Sequence, residues 1–127
     1  GKERNYFPAE VLGIPVNRKA AALYFLHTMG WGEKGQKALT YRIHYADGSS
    51  LEIPVVGERD ICGWWGAKAA PNAKIAVEVP NAQKDVVSMQ CFRWRNPHPG
   101  KEIRSLDVVS ARESAVPALA AVTVETP

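Results

Sequence analysis

The stretch Ala38-Leu-Thr-Tyr-Arg-Ile-His-Tyr-Ala-Asp-Gly-Ser-Ser-Leu-Glu-Ile-Pro-Val-Val56 decides the fold class. Leu39, Tyr41, Ile43 and Tyr45 alternate with Thr40, Arg42 and His44, and a period of two puts the two sets on opposite faces of a strand. Asp47-Gly48 supplies the positive-φ positions of a tight reversal, after which Leu51, Ile53 and Val55 resume the alternation. The stretch reads as a β-hairpin with one apolar face. A lone hairpin is marginal in water, so the rest of the chain must cover that face.

Upstream, Ala22 to Thr28 is apolar, aromatic-rich and followed by Gly30 and Gly32, which suits a buried strand better than a helix. The lead-in Gly1 to Asn17 carries Pro8 and Pro15, which suit an edge strand or extended arm and not a central strand. Residues 1–16 are therefore set apart as an arm or edge strand, with a sandwich module over 17–127. Met29 to Lys37 is a Gly-rich loop holding Trp31.

Downstream, Gly57 to Asp60 reads as a turn, Ile61 to Trp65 as a short strand or strand end, and Gly66 to Asn72 as a loop. Ala73 to Val79 alternates Ile75, Val77 and Val79 against Lys74, Ala76 and Glu78, and a turn follows over Pro80 to Asp85. Val86 to Arg95 is a long strand with Gln90, Phe92 and Trp94 on one face and Arg93 and Arg95 on the other. Asn96-Pro-His-Pro-Gly100 is a rigid turn, because its prolines preset φ. Ile103 to Ser110 and Val116 to Val124 complete the series. About eight short strands, separated by turn signals and without a long helix, belong to an all-β antiparallel sandwich or barrel and not to an α/β fold, with a jelly-roll sandwich the preferred version.

A length of 127 residues and 46% apolar composition suit one domain with a core of its own. No apolar run reaches the roughly 18 residues of a membrane helix, so no membrane insertion is expected. Gly1-Lys2-Glu3-Arg4 is not followed by the apolar segment of a signal peptide, and a start without Met reads as a mature chain or an excised fragment. The net charge of +3 is spread over scattered basic residues and gives no nucleic-acid footprint. Phe92-Arg93-Trp94-Arg95 interleaves aromatic and basic residues, but strand alternation accounts for it. Cys62 and Cys91 are the only cysteines, and a disulfide and two free thiols both remain open.

Catalytic chemistry finds little support. A glycosidase needs two carboxyl groups held across a cleft, and most carboxylates here fall in turns, loops or polar strand faces. His27, His44 and His98 show no metal-ligand spacing. No phosphate loop follows a strand and opens a helix. No enzyme activity, metal site or cofactor is expected.

Six pieces occur in order: Asn17-Arg-Lys-Ala-Ala-Ala-Leu-Tyr-Phe-Leu-His-Thr28, Tyr45-Ala-Asp-Gly48, Ile53-Pro54, Asp60-Ile-Cys-Gly-Trp-Trp65, Trp94-Arg-Asn-Pro-His-Pro99 and Ala115-Val-Pro-Ala-Leu-Ala-Ala-Val-Thr123. This succession, over roughly Val16 to Val124, resembles the galactose-binding-domain-like modules appended to bacterial carbohydrate-active proteins, glycoside hydrolases among them. The resemblance implies a jelly-roll sandwich, a secreted or periplasmic parent and a non-catalytic role beside the parent's catalytic domain. It also leaves a structural Ca²⁺ open, although no D-x-D-x-D-G loop is present.

Sugar recognition rests on aromatic rings that stack on a pyranose and on polar groups that fix its hydroxyls. Trp31, in its Gly-rich loop, is the best platform. On a strand, Trp64 and Trp65 point to opposite faces, so one belongs in the core and the other near the surface or under a loop. Trp94 shares the face of Phe92 and is assigned to the core. Asn96 and His98 are offered by the proline turn, Arg93 or Arg95 can grip the carboxylate of an acidic sugar, and Arg95 is the one placed beside that turn. The expected site therefore joins Trp31, Trp65, Arg95, Asn96 and His98, with a polysaccharide or glycan as partner. The rival expectation is a structural interdomain module without a sugar ligand, whose exposed aromatics form a flat apolar patch.

Overall fold

The computed structural model describes residues 10–66, 69–80 and 86–127. Tyr6, Phe7 and Pro8 of the expected arm, and the turn expected after Pro80, lie outside them. Eight strands are described: β1 Glu10–Lys19, β2 Ala22–Gly30, β3 Lys37–Tyr45, β4 Ser50–Val56, β5 Ala73–Pro80, β6 Val86–Arg95, β7 Glu102–Ser110 and β8 Val116–Glu125. They form two antiparallel four-stranded sheets, ordered β1-β7-β3-β4 and β5-β6-β2-β8. Among the described strands only β3–β4 and β5–β6 are consecutive pairs, and every other step from one to the next changes sheet. The fold is an all-β sandwich, as the alternation predicts.

The hairpin stands where the sequence puts it. Tyr41 pairs with Ile53 and Ile43 with Leu51, while Gly48 adopts φ 91° at the reversal. The Asp47 carboxylate accepts the Ser49 backbone N–H and hydroxyl and pairs with Lys101. These hydrogen bonds hold its carboxyl well below the usual carboxylate range. On its other side β3 pairs with β7, Ile43 opposite Leu106.

The apolar rows of the two sheets meet in one core. Phe25 of β2 stacks on Tyr41 of β3 with ring centroids 3.9 Å apart, and Leu23, Leu39, Ile43, Val55, Ile103 and Leu106 are buried around them. Burying a side chain of this size is worth roughly 1.5–3 kcal/mol.

β1 forms the outer edge beside β7, with register shifts between Val11 and Ile14 and between Pro15 and Arg18. Gly13 and Asn17 take positive φ beside these bulges. The bulge at Gly13 turns its N–H onto the Asp107 carboxylate at 2.9 Å. Bulges and a proline twist the edge and blunt it as a template for strand addition. β1 continues to Lys19, past the division drawn between Val16 and Asn17.

Candidate functional site

β2 and β6 pair from Ala22 opposite Arg95 as far as His27 opposite Gln90, and then part. Beyond that point Met29 pairs with Gly63 and Val87 with Trp65. Residues 61–66 therefore lie between the two strands at one end of the sandwich. Their backbone is held on both sides. The Met29 N–H donates to the Cys62 carbonyl and the Trp64 N–H to the Met29 carbonyl, while Ser88 and Gly66 donate to the Trp64 and Val86 carbonyls. The strand expected over Ile61 to Trp65 is corrected to isolated bridges. Its residues face two divergent neighbours, and Gly66 leaves the pleat at φ 83°.

Buried polar side chains anchor this segment. The Cys62 N–H donates to Gln90 Oε1 at 3.0 Å, and Gln90 donates to Ser88 Oγ. His27 Nε2 lies 2.7 Å from the Asp60 carbonyl and Nδ1 2.6 Å from the Tyr41 hydroxyl. A carbonyl can only accept, so Nε2 carries the proton and Tyr41 donates to Nδ1. Burial pushes the His27 pKa down to about 4, against the pull of the Asp60 carbonyl, so the imidazole is neutral at physiological pH. Burial also pushes the Tyr41 hydroxyl well above its ordinary range. Burial favours a protonated Asp60, but hydrogen bonds from Arg59, Asn72 and the Val56 N–H outweigh it and hold the carboxyl low.

The tryptophans gather at this end. Trp31 directly follows β2 and is 64% exposed, while Trp64 and Trp65 are 38% and 61% exposed. The expectation that one of the pair would enter the core is corrected: both indoles face solvent. Met29, Ile61 and Cys62 already fill the core at this end, and without a regular pleat no alternation drives either ring inward. Gly32 packs against the Met29 side chain where a Cβ would collide with its sulfur, which lets the Trp31 loop close over β2. Trp94, on the inward face with Phe92, is half-buried against the core.

Arg95, Asn96 and His98 lie at the other end. Asn96 is buried: its amide donates to the Ala20 and His98 carbonyls, and its oxygen accepts the His98 N–H and the Tyr45 hydroxyl. His98 is exposed and meets the Tyr45 ring edge-on at 5.6 Å. Arg95 lines an open groove of about 420 Å³ with Ala21, Asn96, Pro97 and Pro99. The length of β2, Ala22–Gly30, separates this turn from the tryptophans by about 25 Å at 3.3 Å per residue. The structure brings Trp31 and Trp65 to one end, with Trp64 beside them, and does not bring Arg95, Asn96 and His98 to them.

Elsewhere, Asp107 accepts His44 at 2.6 Å and pairs with Arg42 on the outer face of its sheet. Hydrogen bonds from His44 and the Gly13 N–H overcome its burial and hold its carboxyl low. Glu125 is held by Tyr24 and Arg93. Cys62 and Cys91 are not joined in a disulfide. Among the described residues no group of three or more His, Cys, Asp and Glu is placed to hold a metal, and no helix is long and apolar enough to cross a membrane.

The exposure of Trp64 and the network of His27, Asp60 and Gln90 escaped sequence reasoning. One signal was present. Gln90 and His27 are polar residues on inward faces of apolar strands, and such groups require buried partners. Together these features define a β-sandwich with an aromatic end and a separate basic groove. In comparison with known proteins, the chain matches no family model, no curated protein and no solved structure.

Proposed function

We propose that this sandwich is a non-catalytic carbohydrate-binding module of a larger secreted or periplasmic carbohydrate-active protein. The reading takes its fold as the galactose-binding-like jelly roll that the ordered sequence pieces resemble. The observation that carries it is the group of three solvent-facing indoles, Trp31, Trp64 and Trp65, at one end of the sandwich. The backbone of Trp64 and Trp65 is fixed between β2 and β6, so those two rings are presented at little ordering cost. Rings of this kind stack on the C–H face of a pyranose. The module would raise the local concentration of polysaccharide at a catalytic partner and do no chemistry itself.

The test compares Trp31→Ala, Trp64→Ala, Trp65→Ala and Trp94→Ala for melting temperature and for retardation in gels containing neutral glycans. Loss of a stacking ring should cost about 1–3 kcal/mol of binding, by analogy with base–aromatic stacking. The three exposed positions should lose retardation and keep stability, whereas Trp94→Ala should lose stability. Absence of retardation of the wild type by every neutral glycan would overturn the reading.

One feature favours the structural rival. Between the edges of β1 and β8 runs an apolar trench lined by Ile14, Val16, Leu106, Leu119, Val122 and Val124, of about 380 Å³. It continues past Ile14 and Leu119 toward Val11 and Pro117. Val11 and Leu12 are 46% and 57% exposed beside it. A neighbouring domain of the parent would cover this flank.

A further inference from the structure

The outward face of β6 presents two arginines, and the structure treats them differently. Arg93 faces Glu125, whose carboxylate it meets at 3.2 Å, and Glu125 is fixed in place by the Tyr24 hydroxyl at 2.7 Å. The pairing of Ala22 with both Arg95 and Glu125 sets those two residues in one row across the sheet, but the Glu125 carboxylate is already held by Tyr24 and Arg93. Among the described residues Arg95 has no ion-pair partner. It lines the groove of about 420 Å³ with Ala21, Asn96, Pro97 and Pro99, and no carboxylate is among the described lining residues.

The groove is rigid and poor in other donors. The Asn96 N–H donates to the Ala21 carbonyl, the His98 N–H donates to Asn96 Oδ1, and prolines have no N–H. The Asn96 amide is held by the Ala20 and His98 carbonyls and does not turn outward. A ligand in the groove meets the guanidinium of Arg95 and the apolar rings of Pro97 and Pro99. The volume is that of a small-molecule site. A planar guanidinium fork matches a planar carboxylate in two parallel hydrogen bonds, and proline rings offer a flat apolar surface to the C–H face of a sugar.

We infer that the groove at Arg95 is a second glycan subsite, which binds a uronic acid residue of an acidic polysaccharide through its carboxylate. It adds to the glycan-binding reading and does not depend on the tryptophan end, which lies the length of β2 away.

The experiment is affinity electrophoresis of the whole chain in gels containing sodium polygalacturonate, its methyl ester, or dextran sulfate. The proteins are the wild type, Arg95→Gln, Arg95→Lys and Arg93→Gln, each checked for an unchanged melting temperature. Polygalacturonate should retard the wild type. Arg95→Gln should weaken binding about tenfold or more, the loss of a charged two-pronged hydrogen bond. Arg95→Lys, which keeps the charge without the fork, should fall between them, and Arg93→Gln should bind as the wild type. The methyl ester should show no dependence on Arg95.

The inference is overturned if polygalacturonate does not retard the wild type, if Arg95→Gln binds as the wild type, or if Arg93→Gln loses as much. Arg95-dependent binding of dextran sulfate as tight as that of polygalacturonate would equally overturn the carboxylate assignment. The two sites fail separately. Retardation by neutral glycans reports on the tryptophans, and the difference between polygalacturonate and its ester reports on Arg95.

Discussion

Acid should unfold this protein through His27 before it reaches the carboxylates. In the folded state burial holds the imidazole pKa at about 4, against about 6.5 for an unfolded histidine. Above pH 6.5 both states carry a neutral ring, and the bonds to Tyr41 and Asp60 contribute fully. Between pH 6.5 and 4 the unfolded chain takes up a proton that the folded chain refuses. Stability therefore falls as pH falls, by up to about 1.4 kcal/mol per pH unit. Across the window the loss is about 3 kcal/mol, from a difference of about 2.5 pKa units. A proton on Nδ1 would also remove the acceptor of the Tyr41 hydroxyl. Asp60 and Asp107, whose carboxyls are held low, act in a different window: their contribution is present above about pH 4 and is lost as pH falls through their depressed values. The assay is urea unfolding at pH 7.5, 6.5, 5.5 and 4.5 for the wild type and His27→Gln. Glutamine keeps an acceptor and a donor but does not titrate. Between pH 7.5 and 4.5 the wild type should lose about 2–3 kcal/mol more than the variant. Parallel curves for the two proteins would refute the reasoning.

Ile43→Asp places a charge at a fully buried position between Leu51 and Leu106 and should cost at least about 4 kcal/mol, enough to unfold a small domain; an unchanged melting temperature would show that the hairpin register is wrong. Gln90→Leu removes the acceptor of the Cys62 N–H and should cost about 1–3 kcal/mol, with faster hydrogen exchange at the Cys62 amide by NMR; equal exchange in variant and wild type would show that Gln90 does not anchor the segment. Gly57→Ala sets a Cβ against the Glu33 carbonyl oxygen and should lower stability by about 1–3 kcal/mol, read by urea unfolding. If stability is unchanged, the loop before β3 yields without cost.

The strands were legible because a strand announces itself locally. Tyr41, Ile43, Leu51 and Ile53 lie within one hairpin, and their alternation needs no distant partner to be recognised. Phe92 and Trp94 face inward and Arg93 outward for the same reason. The tryptophan pair was misread for a physical reason: alternation holds only while the backbone stays pleated, and residues 61–66 leave the pleat to fill the gap between β2 and β6. Asn96 reads in the sequence as a turn residue. Its complete burial under the Tyr45 hydroxyl depends on β3, which is remote in the chain.

What the sequence alone determined is most of the strands, the hairpin at Asp47-Gly48 and the buried face of that hairpin, since these follow from spacing between near neighbours. Tertiary structure alone decided which loops share an end. Trp31 and Trp65 fall at one end, and Arg95 with Asn96 at the other, because β2 and β6 run antiparallel and the loop after β4 inserts between them. It also decided which arginine is neutralised. Arg93 and Arg95 are equivalent by alternation, and only the arrival of Glu125 and Tyr24 on the same sheet face separates them. Pairing between distant strands depends on how two whole sheets bury their apolar faces together, and no local pattern encodes that.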